Sequence, residues 1–243
     1  MRNRLRRTIE QLGWVNTIFY LLHRLFGVLS GDRWALYKYY FVAQAVATAS
    51  LCHGRGKTIE VRLCKDPNDL PSPYPRPVEV VAQRFAQGAQ SLTAFKQGRM
   101  VGFLWFLFDR YQEDEVRASY QLLSAQSVWD FDVYVKPEDR LGFVFPRLWD
   151  EANRLLHARA VRWSCSRISA FNAGSLAAHA KIGTAPLGTV VFLRCGSWQW
   201  MFATLAPYFH LSLGPASFPQ LQFDTSGLTQ FHAMEPSCNI LKK

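Results

Sequence analysis

The sequence has no Cys-x-x-Cys pair, and its five cysteines, Cys52, Cys64, Cys165, Cys195 and Cys238, are scattered and odd in number. That pattern supports neither a disulfide framework nor a zinc site, so reduced, mostly buried thiols in a cytosolic protein are expected and no metal is. It has no internal repeat and no low-complexity tract. It also lacks an uninterrupted apolar run long enough for a bilayer. Asn16, His23 and Arg24 break the first apolar stretch, no clear small-residue cleavage site follows it, and the second, residues 39–52, is too short and contains Gln44. Acid is scarce: 18 Asp and Glu stand against 28 Lys and Arg, a net charge of +10. Such a chain attracts acidic partners: nucleic acid, anionic lipid, a nucleotide cofactor or an acidic carrier protein. No RNA- or DNA-binding motif accompanies the charge, so no nucleic-acid partner is expected.

What is present is apolar bulk. Of the 243 residues, 49% are hydrophobic and 14% aromatic, enough for a sizeable core. Arg2, Arg4, Arg6 and Arg7 stand almost unopposed at the N-terminus. Residues 8–29 read as an amphipathic helix with Trp14, Ile18, Leu21, Leu22 and Leu25 on one face. That face either packs on the domain core or lies on an anionic membrane surface. The location expected is therefore cytoplasmic, with peripheral attachment at the inner face of the membrane as the second reading.

Alternation and turn chemistry divide the rest. An aromatic strand-like run follows the helix and ends in the turn tract CHGRGK. Residues 58–64 alternate as a strand. Pro67, Pro71, Pro73, Pro75 and Pro77 make the next segment a loop, either a linker or a cover over a cleft. A helix over 78–88, a hairpin over 91–108 and an acidic connection over 111–117 follow. Further strands are expected at 118–123, 128–135, 161–168 and 190–195, with helices at 142–159 and 173–182. This divides the chain into an N-terminal extension (1–56), a central domain (57–197) and a C-terminal extension (198–243), whose last dozen residues read as disordered.

Residues 128–187 carry the functional signal. Strand–turn–helix aims backbone N–H groups at a phosphate. Asn172 is the N-cap of the last helix and Gly183 its stop. Within it run Asn172, Ser175, His179, Lys181 and Gly183, spaced N-x-x-S-x-x-x-H-x-K-x-G. This β-α-β-α order and motif resemble the GCN5-related N-acetyltransferase (GNAT) superfamily, over somewhat more than half the chain. The resemblance implies an α/β fold with a mixed sheet splayed between two strands, an acyl-CoA pantetheine arm inserted at the splay, and acetyl-CoA or another acyl-CoA as cosubstrate. Backbone groups of Val133, Tyr134 and Val135 would bind that arm. The turn at Arg140, Leu141 and Gly142 would hold the pyrophosphate, with Asn172 and Ser175 completing the contacts. His179 stands where the family has a tyrosine thought to protonate the departing thiolate, and an imidazole can take that role. The turn departs from the family: Arg140 fits, but Phe143 and Phe145 fall where small residues are usual and Gly142 is displaced by one. The altered turn implies a changed grip or a donor other than acetyl-CoA.

The chemistry needs a base for the amine. Asp130 and Asp132 alternate on the central strand, and period two places both on one face, to hold a cationic amine or to act as base; a solvent-facing side or a salt bridge to arginine explains them equally. Glu113, Asp114 and Glu115 lie at the acceptor side or in a solvated loop, and Arg117 is placed to clamp a substrate carboxylate. Asp132 or Glu115 is the expected base. Cys165 reads as structural, and Arg167 as a phosphate ligand or a partner for an acid such as Asp132. The activity expected is transfer of an acyl group to a primary amine of a small molecule by direct attack. The rivals are a long-chain N-acyltransferase fed by an acyl carrier protein and a non-catalytic binder of the same fold.

Overall fold

The computed structural model describes residues 2–31, 33–181 and 183–229. The expected disorder of the last dozen residues lies outside them. Helix α1 (Arg2–Ser30) leads into β1 (Trp34–Ala45), then β2 (Ile59–Cys64), α2 (Val78–Ala86), β3 (Gln90–Lys96) and β4 (Arg99–Leu107). Short strands β5 (Arg110–Gln112) and β6 (Ser119–Leu122) precede β7 (Ser127–Val135), α3 (Val144–His157), β8 (Trp163–Ser169), α4 (Ala173–Lys181) and β9 (Ala185–Cys195). The chain continues through β10 (Trp198–Ala203), β11 (Phe209–Ser212) and β12 (Gln220–Phe223). The β3–β4 turn has Gln97 and Gly98 both at positive φ, the two-residue geometry that matches strand twist.

Nine strands form one sheet in the order β11-β10-β9-β1-β8-β7-β4-β3-β2, and β12-β6-β5 form a second. The aromatic run of the N-terminal segment is therefore integral. β1 lies between β8 and β9, with Tyr39 opposite Ser169 and Ala45 opposite Trp163. A boundary at residue 56 would cut the core, because the apolar positions Tyr39, Phe41 and Ala43 are buried inside it. The segment after residue 197 likewise extends the large sheet through β10 and β11, and β12 pairs in parallel with β6.

Two apolar layers cover the sheet. On one face, called here the α2 face, Val81 of α2 and the second sheet pack over Phe41, Phe103, Trp105 and Trp129. On the other, the α3 face, Leu148, Trp149 and Ala152 of α3 pack over Leu104, Phe106 and Val128. Gly102 lies where β4 passes beneath α3. A Cβ there would come 2.7 Å from the Tyr134 carbonyl oxygen and 2.9 Å from Val144 Cγ1. Gly102→Ala is expected to lower stability by about 1–3 kcal/mol through overpacking, seen as a lower urea midpoint. An unchanged midpoint would mean that the strand and helix can separate at no cost.

The proline-rich segment folds over the α2 face. Tyr74 stacks on Phe103 at 4.8 Å and accepts a hydrogen bond from Trp105 Nε1 at 2.9 Å. Arg76 reaches Asp132 on β7. It therefore covers part of the apolar core, and neither of the two cavities described below is lined by it.

Candidate active site

The sheet is open at its centre. β7 and β8 form the one parallel pair of the large sheet among the described residues, and their register runs only from Ser127 opposite Trp163 to Asp130 opposite Ser166. Beyond that point β7 continues to Val135 paired with β4 alone, and β8 continues to Ser169 paired with β1 alone. Their facing main-chain edges are parted. Val133, Tyr134 and Val135 border this opening, as the resemblance implied. Arg140 at the following turn folds back, its Nε donating to the Val135 carbonyl at 3.2 Å. Leu141 is fully exposed, and the Gly142 amide donates to Asp139 O at 3.1 Å. Phe143 turns toward the core, with Arg55 Cζ 4.8 Å from its ring centre, and Phe145 stacks beside Trp149. α3 starts at Val144 with no side-chain cap. The opening and the uncapped helix start fit a pantetheine arm and its phosphates. Phe143 fits because it packs against protein, whereas Phe145, 43% exposed, stands partly open to solvent at the helix start.

On the α3 face, α4 starts beside the end of β8. Asn172 Oδ1 accepts from the Ser175 amide at 3.0 Å, and Gly183 stops the helix at φ 71°, both as the sequence predicts. His179 Nδ1 lies 2.8 Å from the Ser175 carbonyl oxygen. A carbonyl only accepts, so Nδ1 carries the hydrogen. The neutral ring then presents a bare Nε2, and only the imidazolium can donate from that atom. Asp130 is buried on this face, and its Oδ2 accepts from Ser164 Oγ at 2.6 Å and Ser166 Oγ at 2.7 Å. Burial raises its carboxyl above the usual range, while the two hydroxyls and the positive charge of His179 oppose that rise. A cavity of about 530 Å³ lies under α4, lined by Tyr40, Ile168, Leu176, His179, Pro186 and Leu187 among others. The side chain of Lys181 is outside the described residues.

Asp132 departs from expectation. Period two places it beside Asp130, but a bulge intervenes: Trp105 pairs with Phe131 and Phe103 with Tyr134, so β7 spends one extra residue there. Asp132 takes φ 49° and turns to the α2 face. There Arg76 Nε donates to it at 2.7 Å and Arg84 Nη1 at 2.5 Å, so Asp132 is an ion-pair partner rather than a free base. Glu115 is occupied too, by Arg167 at 2.7 Å and by the Tyr39 hydroxyl at 2.8 Å. Arg167 pairs with Glu115 and Glu113, not with Asp132.

A further candidate base, not expected from the sequence, is Glu113. It is buried, ion-paired with Arg167 at 3.1 Å, and its Oε1 accepts from the Asp114 amide at 3.1 Å. Burial pushes its carboxyl up to about 7, against the pull of Arg167. A charge run gives no sign of which member turns inward; the only local signal is that Glu113 stands two residues after the buried Tyr111, on the same side by strand alternation. Arg84 was also missed, although it lies three residues after Val81 and shares its buried face. Glu113, Glu115, Arg117 and Arg194 line a cleft of about 360 Å³. Burial and the neighbouring Arg194 charge hold the Arg117 guanidinium below its usual value. Cys165 is buried, and burial pushes its thiol up, which makes it inert as a nucleophile. Among the described residues no His, Cys, Asp and Glu cluster suits a metal.

No family model matches the sequence, and no curated protein does. Solved structures are similar at low identity. A functionally unknown conserved protein from Staphylococcus epidermidis is 10% identical, with 71% of this chain and 66% of that one covered, at a TM-score of 0.46. A tandem GNAT protein from the clavulanic acid biosynthesis pathway is 16% identical, covering 70% and 57%, at 0.44. A Novosphingobium aromaticivorans protein named for GNAT-family acetyltransferases is 12% identical, covering 65% and 70%, at 0.40. The chain thus spans less than two thirds of the length of the first two. The chain's own topology is a mixed α/β sheet, parted between the one parallel pair that its described residues form, with a capped helix at the parting.

Proposed function

We propose that this chain is an acyl-CoA-dependent N-acyltransferase. The observation that carries the reading is the opening of the sheet beyond Asp130 and Ser166, which leaves main-chain donors and acceptors of β7 without a strand partner on one side. The unpaired main-chain N–H and C=O groups of that half-exposed edge offer an extended amide-bearing arm the hydrogen bonds of an added strand. Val133, Tyr134 and Val135 hold that arm, and the turn at Arg140, Leu141 and Gly142 with Asn172 and Ser175 holds its phosphate end. The acceptor approaches from the α2 face. Its amine nitrogen attacks the thioester carbonyl carbon, the C–S bond breaks, an amine proton passes to Glu113 directly or through water, and the His179 imidazolium gives its Nε2 proton to the thiolate sulfur. Arg117 and Arg194 have no carboxylate partner among the described residues, which suits an amine that also bears an acidic group.

The apolar lining of the cavity beside His179 favours a donor with a longer chain than acetyl. The test is release of free thiol from a series of acyl-CoA and acyl-carrier donors across amines and amino acids. Amine-dependent release is expected, fastest with the longer chains. Release with no donor in the series, together with no binding by calorimetry, would leave a non-catalytic binder as the better account. His179→Ala is expected to cost about 10²-fold in kcat. His179→Tyr is expected to restore rate, because a phenol donates while neutral. An unchanged kcat in His179→Ala would take the acid role from His179.

A further inference from the structure

Helix α1 is amphipathic the wrong way round for a core helix. Its polar side faces the protein: Thr17 is buried, Asn16 Oδ1 accepts from Lys38 Nζ and from the Tyr40 hydroxyl at 2.9 Å each, and His23 Nδ1 lies 2.8 Å from Leu36 O. Its apolar stripe faces out. Trp14 is 70% exposed, Val28 79% and Leu29 74%, with Ile18, Leu21, Leu22 and Leu25 also exposed between them. The reading that this stripe packs on the core is overturned, because hydrogen bonds to β1 fix the opposite side.

The stripe is not isolated. Lys38 bonds to α1, and its register partner Val191 is opposite Phe202; likewise Trp34 is opposite Cys195, which is opposite Trp198. Cross-strand partners share a face, so Trp198 and Phe202 lie on the same side of the sheet as α1. Phe209 pairs with Phe202 and Leu211 with Trp200, and Trp198, Phe202, Phe209 and Leu211 are all exposed. Phe26 of α1 meets Trp34 at 5.8 Å, closing the gap between helix and edge strands. Exposed apolar side chains of α1, β1, β10 and β11, with Trp14, Trp34 and Trp198 among them, thus stand on one side of the molecule, more of them together than a soluble monomer usually exposes.

We propose that this face seats the protein on the surface of an anionic bilayer. Charge selects that occupant. Exposed Arg7, Arg24 and Arg33 belong to the same helix and its turn, with Arg6 beside them paired to Glu10, within a chain of net charge +10. Such a rim attracts anionic headgroups and repels a second copy of the same face. Tryptophan at the boundary of apolar and wet regions suits the headgroup layer. By length and composition α1 can cross a membrane, with only 6% of its apolar window buried. Its geometry favours lying flat instead. Gly13 (φ 76°, ψ 166°) breaks the helix, and the straight part, residues 14–30, rises about 25 Å, short of a hydrocarbon core of about 30 Å. One side of that part is also tied to β1.

The test is co-sedimentation of the full chain with vesicles of phosphatidylcholine alone and of phosphatidylcholine with an equal share of phosphatidylglycerol. Binding to the anionic vesicles, weakened by about tenfold or more in high salt, is expected. Ile18→Glu/Leu25→Glu is expected to reduce it by a further factor of about ten or more, with circular dichroism and melting unchanged because both residues are exposed. A second variant, Trp198→Ala/Phe202→Ala, leaves α1 intact and is expected to weaken binding as well. No binding of the wild-type chain to either vesicle would overturn the proposal. So would a dimer by light scattering that either variant dissolves, since the face would then be an interface between copies.

Discussion

Arg84→Ala is expected to lower the free energy of unfolding by about 3–5 kcal/mol, the cost of stranding buried charges. Arg84 is buried on α2, and its guanidinium bridges two carboxylates: Nη2 to Asp114 at 2.7 Å and Nη1 to Asp132 at 2.5 Å. Its Cζ lies 5.4 Å from the Trp105 ring centre and 5.2 Å from that of Phe131, so aromatic faces replace the water it lost. Burial raises the Asp114 carboxyl, but its link to Glu113 and the two bonds from Arg84 outweigh that and hold it below the usual range. Removing Arg84 leaves Asp132 with Arg76 alone and Asp114 with no cation at bonding distance. Urea unfolding should show a lower midpoint at an unchanged slope. Arg62→Ala is the internal comparison. Its pair with Glu60 is exposed on both sides and screened by solvent, so its loss should barely move the midpoint. Equal midpoints for the two variants would show that the buried network is dispensable. Arg84→Lys, which keeps the charge and loses the fork, should fall between them.

That network also explains what could and could not be read in advance. Most strands and helices between residues 58 and 195 follow from alternation, caps and glycine stops, which are local signals; β5 and β10 to β12 were not expected, and β9 starts at Ala185 rather than at residue 190. Long-range pairing is not local. Nothing in WALYKYYFVAQA states that it inserts between β8 and β9, although its aromatic burden suits a strand covered on one face and half-covered on the other. The one-residue bulge at Asp132 is invisible to a period-two count, yet it moves a carboxylate from one side of the sheet to the other. A helical face can be drawn from spacing, but spacing is symmetric between core and solvent. For α1 the deciding partners, Lys38 and Tyr40, lie more than twenty residues downstream of Asn16. The α4 motif was legible because its constraints are internal: Asn172 caps its own helix and His179 bonds one turn back. The burial of Glu113 was not, because which member of Glu113, Asp114 and Glu115 turns inward depends on Arg84 from α2 and Arg167 from β8.

Glu113→Gln is expected to lower kcat/KM about 10²–10⁴-fold, the usual contribution of a positioned base. The same change at Glu115, fixed by Arg167 and Tyr39, should cost far less. A carboxyl poised at about 7 is half ionised near neutrality, which suits proton transfer from an ammonium that binds beside it. The wild-type profile should therefore show an acid limb near pH 7 that the glutamine variant lacks. Stability gives an independent readout with a definite sign. Between the ordinary value of 4.5 and about 7, the folded chain holds a proton that the unfolded chain has released. The unfolded state then binds fewer protons, so this group's stabilising contribution is full below 4.5 and is lost as pH rises through about 7. The wild type should lose stability relative to Glu113→Gln between pH 5 and 8, by denaturation in matched buffers. If the relative stability shifts in that sense while rate and acid limb survive in the variant, Glu113 is only the buried partner of Arg167 and the base lies elsewhere. If rate falls and the limb disappears together with that shift, one buried carboxyl accounts for both.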